Sequence, residues 1–154
     1  MSLDKIFYML KDAELRAAEL YAQLGLNLSI VQPALSDLFN ELSEDEKLHA
    51  RQIELVRDLI LQCRDAYLEK PEAEELIREF LQNVEAIKSY FNQHNARLQP
   101  SDLINLALDL ERSLVEKHGI YFASTRDAGV KSLFQSLNLG DTAHIRKLED
   151  FQPG

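Results

Sequence analysis

Four stretches of this chain carry apolar residues at alternating spacings of three and four, the pattern of a helix that buries one face. A carboxylate interrupts each stripe, and an imidazole interrupts three of them. The first stripe is Leu3, Phe7, Leu10, Glu14, Ala17, Tyr21, Leu24. The second is Leu35, Leu38, Leu42, Glu46, His49, Ile53, Val56, Ile60, Cys63, Tyr67. Towards the C-terminus come Ile104, Ala107, Glu111, Leu114, His118, Tyr121, and then Val130, Phe134, Leu137, Asp141, His144, Leu148, Phe151. An unpaired carboxylate taken out of water costs several kcal/mol, and four in one core also repel each other. Either these groups slip to the solvated edge of each helix, where Ala13, Ala18, Leu48 and Leu110 can take the core positions, or a positive charge sits between them. Recurrence on every stripe favours the positive charge.

The surrounding signals are those of an all-α chain. Its 154 residues fit one domain (1–154) with a real core, and five glycines and four prolines are few for a turn-rich β fold. Helices are expected from Leu3 to Leu24, stopped by a cap at Gly25, and from Pro33 to about Tyr67. A third, "EAEELIREFLQNVEAIKSYF", lies within a crossover segment spanning 71–100. A fourth is expected from about Leu103 to Tyr121 behind a Ser101 N-cap, and a fifth over Val130 to Phe151 with a weak point at "NLGD". The net charge of −9 opposes nucleic-acid binding, and no apolar run is long enough to span a membrane. A single cysteine, Cys63, excludes an internal disulfide or a Cys-pair metal site and fits a reducing cytoplasm.

Two segments align without gaps: "LFNELSEDEKLHARQIE" (38–54) on "LFQSLNLGDTAHIRKLE" (133–149), with Leu38/Leu133, Phe39/Phe134, Leu42/Leu137, His49/His144, Arg51/Arg146 and Glu54/Glu149 identical. The alignment suggests a repeated two-helix unit. Glu46-Lys47-Leu48-His49 is a Glu-x-x-His, and Asp141-Thr142-Ala143-His144 is its shorter counterpart. Spacing of i, i+3 puts carboxylate and imidazole on one helix face, one turn apart, where both reach one metal ion. Glu14 and Glu111 supply one carboxylate from each remaining helix, so four negative ligands would balance two divalent ions. Asp141 carries a second reading, because Gly140 can interrupt the helix and leave Asp141 as an N-cap.

At these residues the chain resembles the rubrerythrin-type branch of the ferritin-like di-iron superfamily. "AELRAAELY" (13–21) is similar to the family's first-helix pattern of a ligand Glu followed seven residues later by Tyr. "DEKLHA" (45–50) is similar to its Glu-x-x-His-Ala motif, and "ALDLERSLVEK" (107–117) to its third bundle helix. The resemblance implies a four-helix bundle of two helix-pair repeats joined by a helical crossover. It implies two iron ions, or manganese or a mixed pair, held by Glu14, Glu46, His49, Glu111, Asp141 and His144. It further implies an oxidoreductase that reduces hydrogen peroxide or dioxygen. A full rubrerythrin has a four-cysteine rubredoxin-like iron domain. With Cys63 alone, this chain would take electrons from an external rubredoxin-type donor. Asp141 also departs from the family, which has Glu there.

Tyr21 and His118 each lie seven residues after a ligand carboxylate, so either can hydrogen-bond a ligand from outside or simply be a buried amphipathic ring. Glu116 is expected at the surface, His94 in a polar loop, and Cys63 in packing. Two further readings stand beside peroxide or dioxygen reduction: Fe(II) binding and oxidation without a reduced substrate, and a metal-free bundle with an interaction role. A homodimer is compatible with all three.

Overall fold

The computed structural model describes residues 3–60, 72–94, 97–124 and 128–151, which form five helices and no strand. They are α1 (Leu3–Leu28), α2 (Pro33–Ile60), α3 (Glu72–His94), α4 (Pro100–Ser124) and α5 (Ala128–Glu149). Cys63 and Tyr67, and the side chain of Tyr121, lie outside the described residues. No described helix is long and apolar enough to cross a membrane.

α1 and α2 form an antiparallel pair whose close approach is built from small residues. Ser36 Oγ donates to the Gly25 carbonyl (2.6 Å) and Ser43 Oγ to that of Ala18 (2.7 Å). Gly25 does not cap α1, which runs on to Leu28. Asn40 Oδ1 occupies the space that a Cβ at position 25 would need, so the glycine permits helix contact instead of ending the helix. α5 packs antiparallel on α4, with Asn138 Nδ2 donating to the Val115 carbonyl (2.8 Å). It also meets α2, where Lys147 pairs with Glu41 (2.7 Å).

α4 begins at Pro100, not near Leu103, and Ser101 is not its cap. The Gln99 N–H donates to Asp102 Oδ2 (2.8 Å), the reciprocal half of a capping box, and Pro100 takes the first helical position, where a missing N–H costs nothing. α5 passes through "NLGD" without a break, so Asp141 sits in its interior and caps nothing.

α3 runs parallel to α1: Lys5–Glu74, Arg16–Glu85 and Gln23–Asn92 share one register. These exposed contacts are worth at most about 1 kcal/mol each, so they set direction more than stability. The adhesion comes from Ile77, Phe80, Val84 and Phe91, all buried, each worth roughly 1.5–3 kcal/mol. His94 lies in the last turn of α3, stacked on Tyr90, and not in a loop. The core is continuous, from Ile6 and Phe7 on α1 through Phe39 and Ile53 on α2 to Leu110 on α4 and Phe134 on α5. Ala13 and Leu110 join it and Ala18 is buried, while Leu48 is exposed.

Candidate metal centre

The interrupting groups do not slip to the helix edges. Glu14, Glu46, Glu111, His118, Asp141 and His144 are each at most 2% exposed, and His49 is 8% exposed. Glu116 faces solvent, as its position off the stripe requires. The buried groups converge from four helices into two overlapping clusters: Glu46, Glu111, Asp141 and His144 form one, and Glu14, Glu46 and His49 the other. Within each cluster the donor atoms lie within 4.8 Å of one another. Opposed ligands on one ion with bonds of 2.0–2.2 Å are about 4.2 Å apart, so small side-chain adjustments close each cluster around an ion. Glu46 belongs to both.

The i, i+3 spacing acts as the sequence implies. His49 Nδ1 lies 3.0 Å from Glu46 Oε2, and 3.7 Å from both Glu14 Oε2 and Asp141 Oδ1. His144 Nδ1 lies 3.0 Å from Glu46 Oε1 and 3.3 Å from Glu111 Oε2. The two imidazoles stack with centroids 5.5 Å apart. Both therefore point Nδ1 into the carboxylates. Both oxygens of Glu14, together with Glu46 Oε1 and Asp141 Oδ1, are buried without a hydrogen bond of acceptable geometry, although imidazole nitrogens come near. Leaving buried carboxylate oxygens unpaired is costly. A cation between them would satisfy all four.

Outside this ring, other groups fix the carboxylates. Tyr21 donates from its hydroxyl to Glu111 Oε1 (2.6 Å), leaving Oε2 turned inward. His118 lies between Glu14 Oε1 (Nε2, 3.2 Å) and Asp141 Oδ2 (Nδ1, 2.6 Å). Two participants were not singled out from the stripes. Asp45 takes the outer nitrogen of His144, Nε2 (3.2 Å), an imidazole–carboxylate arrangement that orients metal-binding histidines. Its signal was the Asp directly before the Glu-x-x-His. Gly140 stands at the matching position of the second segment. A Cβ there would lie 2.5 Å from His49 Nε2 and 2.9 Å from Cε1, so the glycine makes room for the His49 ring.

Without metal, protons balance the charge. Burial pushes the Glu46 carboxyl well up, reinforced by the Glu14 and Glu111 charges. Asp141 is raised by burial, and by Glu14 and Glu111, to about 6 against the opposing pull of His118. Burial also raises Glu14, but its hydrogen-bonding neighbours Glu46, His118 and His49 outweigh that and hold it well below the usual range. Burial lowers all three imidazoles, and their carboxylates more than reverse it. Glu14 and Glu46 raise His49 to about 11, Glu111 and Glu46 raise His144 to about 11, and Asp141 and Glu14 raise His118 to about 10.

Comparison of the chain with protein-family models, with curated proteins and with solved structures finds no match.

Proposed function

We propose that this chain is a rubrerythrin-like member of the ferritin-like superfamily: a four-helix bundle of two helix-pair repeats, α1–α2 and α4–α5, with α3 in the crossover between them. In this reading it is a cytoplasmic di-iron redox protein that reduces hydrogen peroxide or dioxygen with electrons from an external donor. The observation that carries it is the pair of buried donor clusters sharing Glu46, with four carboxylate oxygens left unpaired. Carboxylates with few imidazoles suit hard divalent ions such as iron or manganese, and four carboxylates neutralise two of them.

When bound, a pair of Fe(II) ions would supply two electrons, the number needed to take hydrogen peroxide and two protons to two waters. The chain's own residues do the rest. Glu46, Glu14, Glu111, Asp141, His49 and His144 would hold the ions, with Glu46 common to both clusters, while Tyr21 and Asp45 keep Glu111 and His144 in place. Burial under Ile77 and Phe80 of α3 keeps bulk water from competing at the Glu14 edge. Within these 154 residues one cysteine cannot build a four-cysteine iron site, so in this reading the electrons come from a rubredoxin-type site outside them.

The test is peroxide consumption by anaerobically Fe(II)-loaded protein. One equivalent per pair of irons supports the reading; none, despite full loading, refutes peroxide reduction and leaves iron binding and oxidation. A metal-free bundle is favoured by a different observation: nitrogens of His49, His118 and His144 lie 2.6–3.7 Å from the buried carboxylates, so imidazolium charges can offset them without an ion. That reading predicts no stoichiometric metal.

A further inference from the structure

Asp141 is one methylene shorter than the glutamate at the matching position, Glu46, yet it reaches the same cluster. His118 explains how. It reaches Asp141 from α4, with its ring 1% exposed and Nδ1 2.6 Å from Asp141 Oδ2. That contact commits Oδ2 outward. Oδ1 is left without a hydrogen bond, 3.7 Å from His49 Nδ1, at the junction of the two clusters. On its other side His118 adjoins a cavity of about 10 Å³, whose apolar walls include Leu10, Ile77, Phe80 and Leu114. Tyr21 stands in the same relation to Glu111: one oxygen is taken by a ring from outside and the other faces His144. Tyr21 and His118 each follow a seam glutamate by seven residues, so the two rings are counterparts, but the histidine offers a second nitrogen and the tyrosine does not.

We propose that His118 is a positioning residue that holds Asp141 as a one-oxygen donor, compensating for its missing methylene, and ties it to Glu14 of the other cluster through Nε2. A ring that donates from Nδ1 to Asp141 and from Nε2 to Glu14 carries a proton on each nitrogen. His118 thus makes the two metal positions inequivalent. The inference rests on the metal-centre reading, and the experiment separates failure of one from failure of the other.

Co(II) serves as the probe, in anaerobic titration of wild type, His118→Phe and His118→Asn, with affinity and visible absorption spectrum as readouts and circular dichroism to confirm folding. Phe keeps much of the ring volume and loses the donor; Asn loses volume and keeps an N–H where Nδ1 stood. The expected result is that His118→Phe weakens one of two Co(II) sites by roughly 10- to 100-fold and changes its spectrum, the usual scale for loss of a group that orients a ligand. His118→Asn should recover most of both, even if it melts at a lower temperature. The inference is overturned if both variants bind two Co(II) with wild-type affinity and spectrum. It is equally overturned if affinity follows packing, with Phe near wild type and Asn impaired. Absence of Co(II) binding by folded wild type would refute the metal centre itself.

Discussion

Gly140→Ala separates the demands of the helix from those of the site. Inside α5 an alanine is favoured over glycine by about 0.8–1.0 kcal/mol, and nothing about the backbone forbids it, since no glycine has positive φ among the described residues. The new Cβ, however, would sit 2.5 Å from His49 Nε2 and 2.9 Å from Cε1. Ordinary contact is about 3.5 Å, so the ring must retreat by roughly 1 Å. It can do so only by giving up the 3.0 Å approach of Nδ1 to Glu46 and its stacking on His144. Overpacking of this kind costs about 1–3 kcal/mol, and the helix gain offsets part of it, leaving a net loss of about 0–2 kcal/mol. Metal–ligand distances tolerate only about 0.2 Å, so a shift of roughly 1 Å removes His49 as a donor. The account predicts a urea midpoint close to wild type together with loss of one of two bound Co(II) ions in anaerobic titration. Unchanged binding of two ions, with stability raised by about 1 kcal/mol, would show that position 140 is simply a weak point in a helix.

The other predictions concern the remaining groups. Glu46→Gln removes the donor shared by both clusters, so it should abolish binding of both ions in a Co(II) titration. It should also leave the metal-free protein as stable or more stable, because burial and the Glu14 and Glu111 charges already push the Glu46 carboxyl towards its neutral form. Tyr21→Phe deletes a buried hydrogen bond to Glu111 and should cost about 1.5–3 kcal/mol by urea unfolding. Asp45→Ala frees the outer nitrogen of His144 and should weaken one ion by roughly 10- to 100-fold. The metal-free protein should lose stability as pH rises. His49, His144 and His118 have folded pKa values of about 11, 11 and 10, above the unfolded value near 6.5. Their contribution is therefore complete below about pH 6.5 and disappears as pH climbs through 10–11. Thermal melts between pH 6 and 10 check this. Loading should release roughly three protons per ion pair, from His49, His144 and Glu46, which calorimetry in buffers of different ionisation enthalpy measures.

Much of this centre was readable because helical periodicity puts a residue on a face without further information. Glu14, Glu46, His49, Glu111, Asp141 and His144 stand on the stripe, and the packing of the helices buries all six instead of letting them slip to its solvated edge. Periodicity does not decide between a cap and a buried helix-interior position for Asp141, nor between a stop and a contact for Gly25. Both depend on what the neighbouring helix places opposite: His118 and His49 in one case, Asn40 and Ser36 in the other. The start of α4 was misplaced because Ser101 is a good cap in isolation, while the reciprocal bond from Gln99 to Asp102 needs the turn already formed. Asp45 escaped notice because it lies off the stripe, half-buried, and gains its role only when α5 brings His144 against it.

The most direct measurement is the amount of metal bound by protein prepared without chelator and reconstituted anaerobically with Fe(II). The account predicts two ions per folded chain, and none in Glu46→Gln. A folded wild-type chain that binds no stoichiometric metal would contradict it.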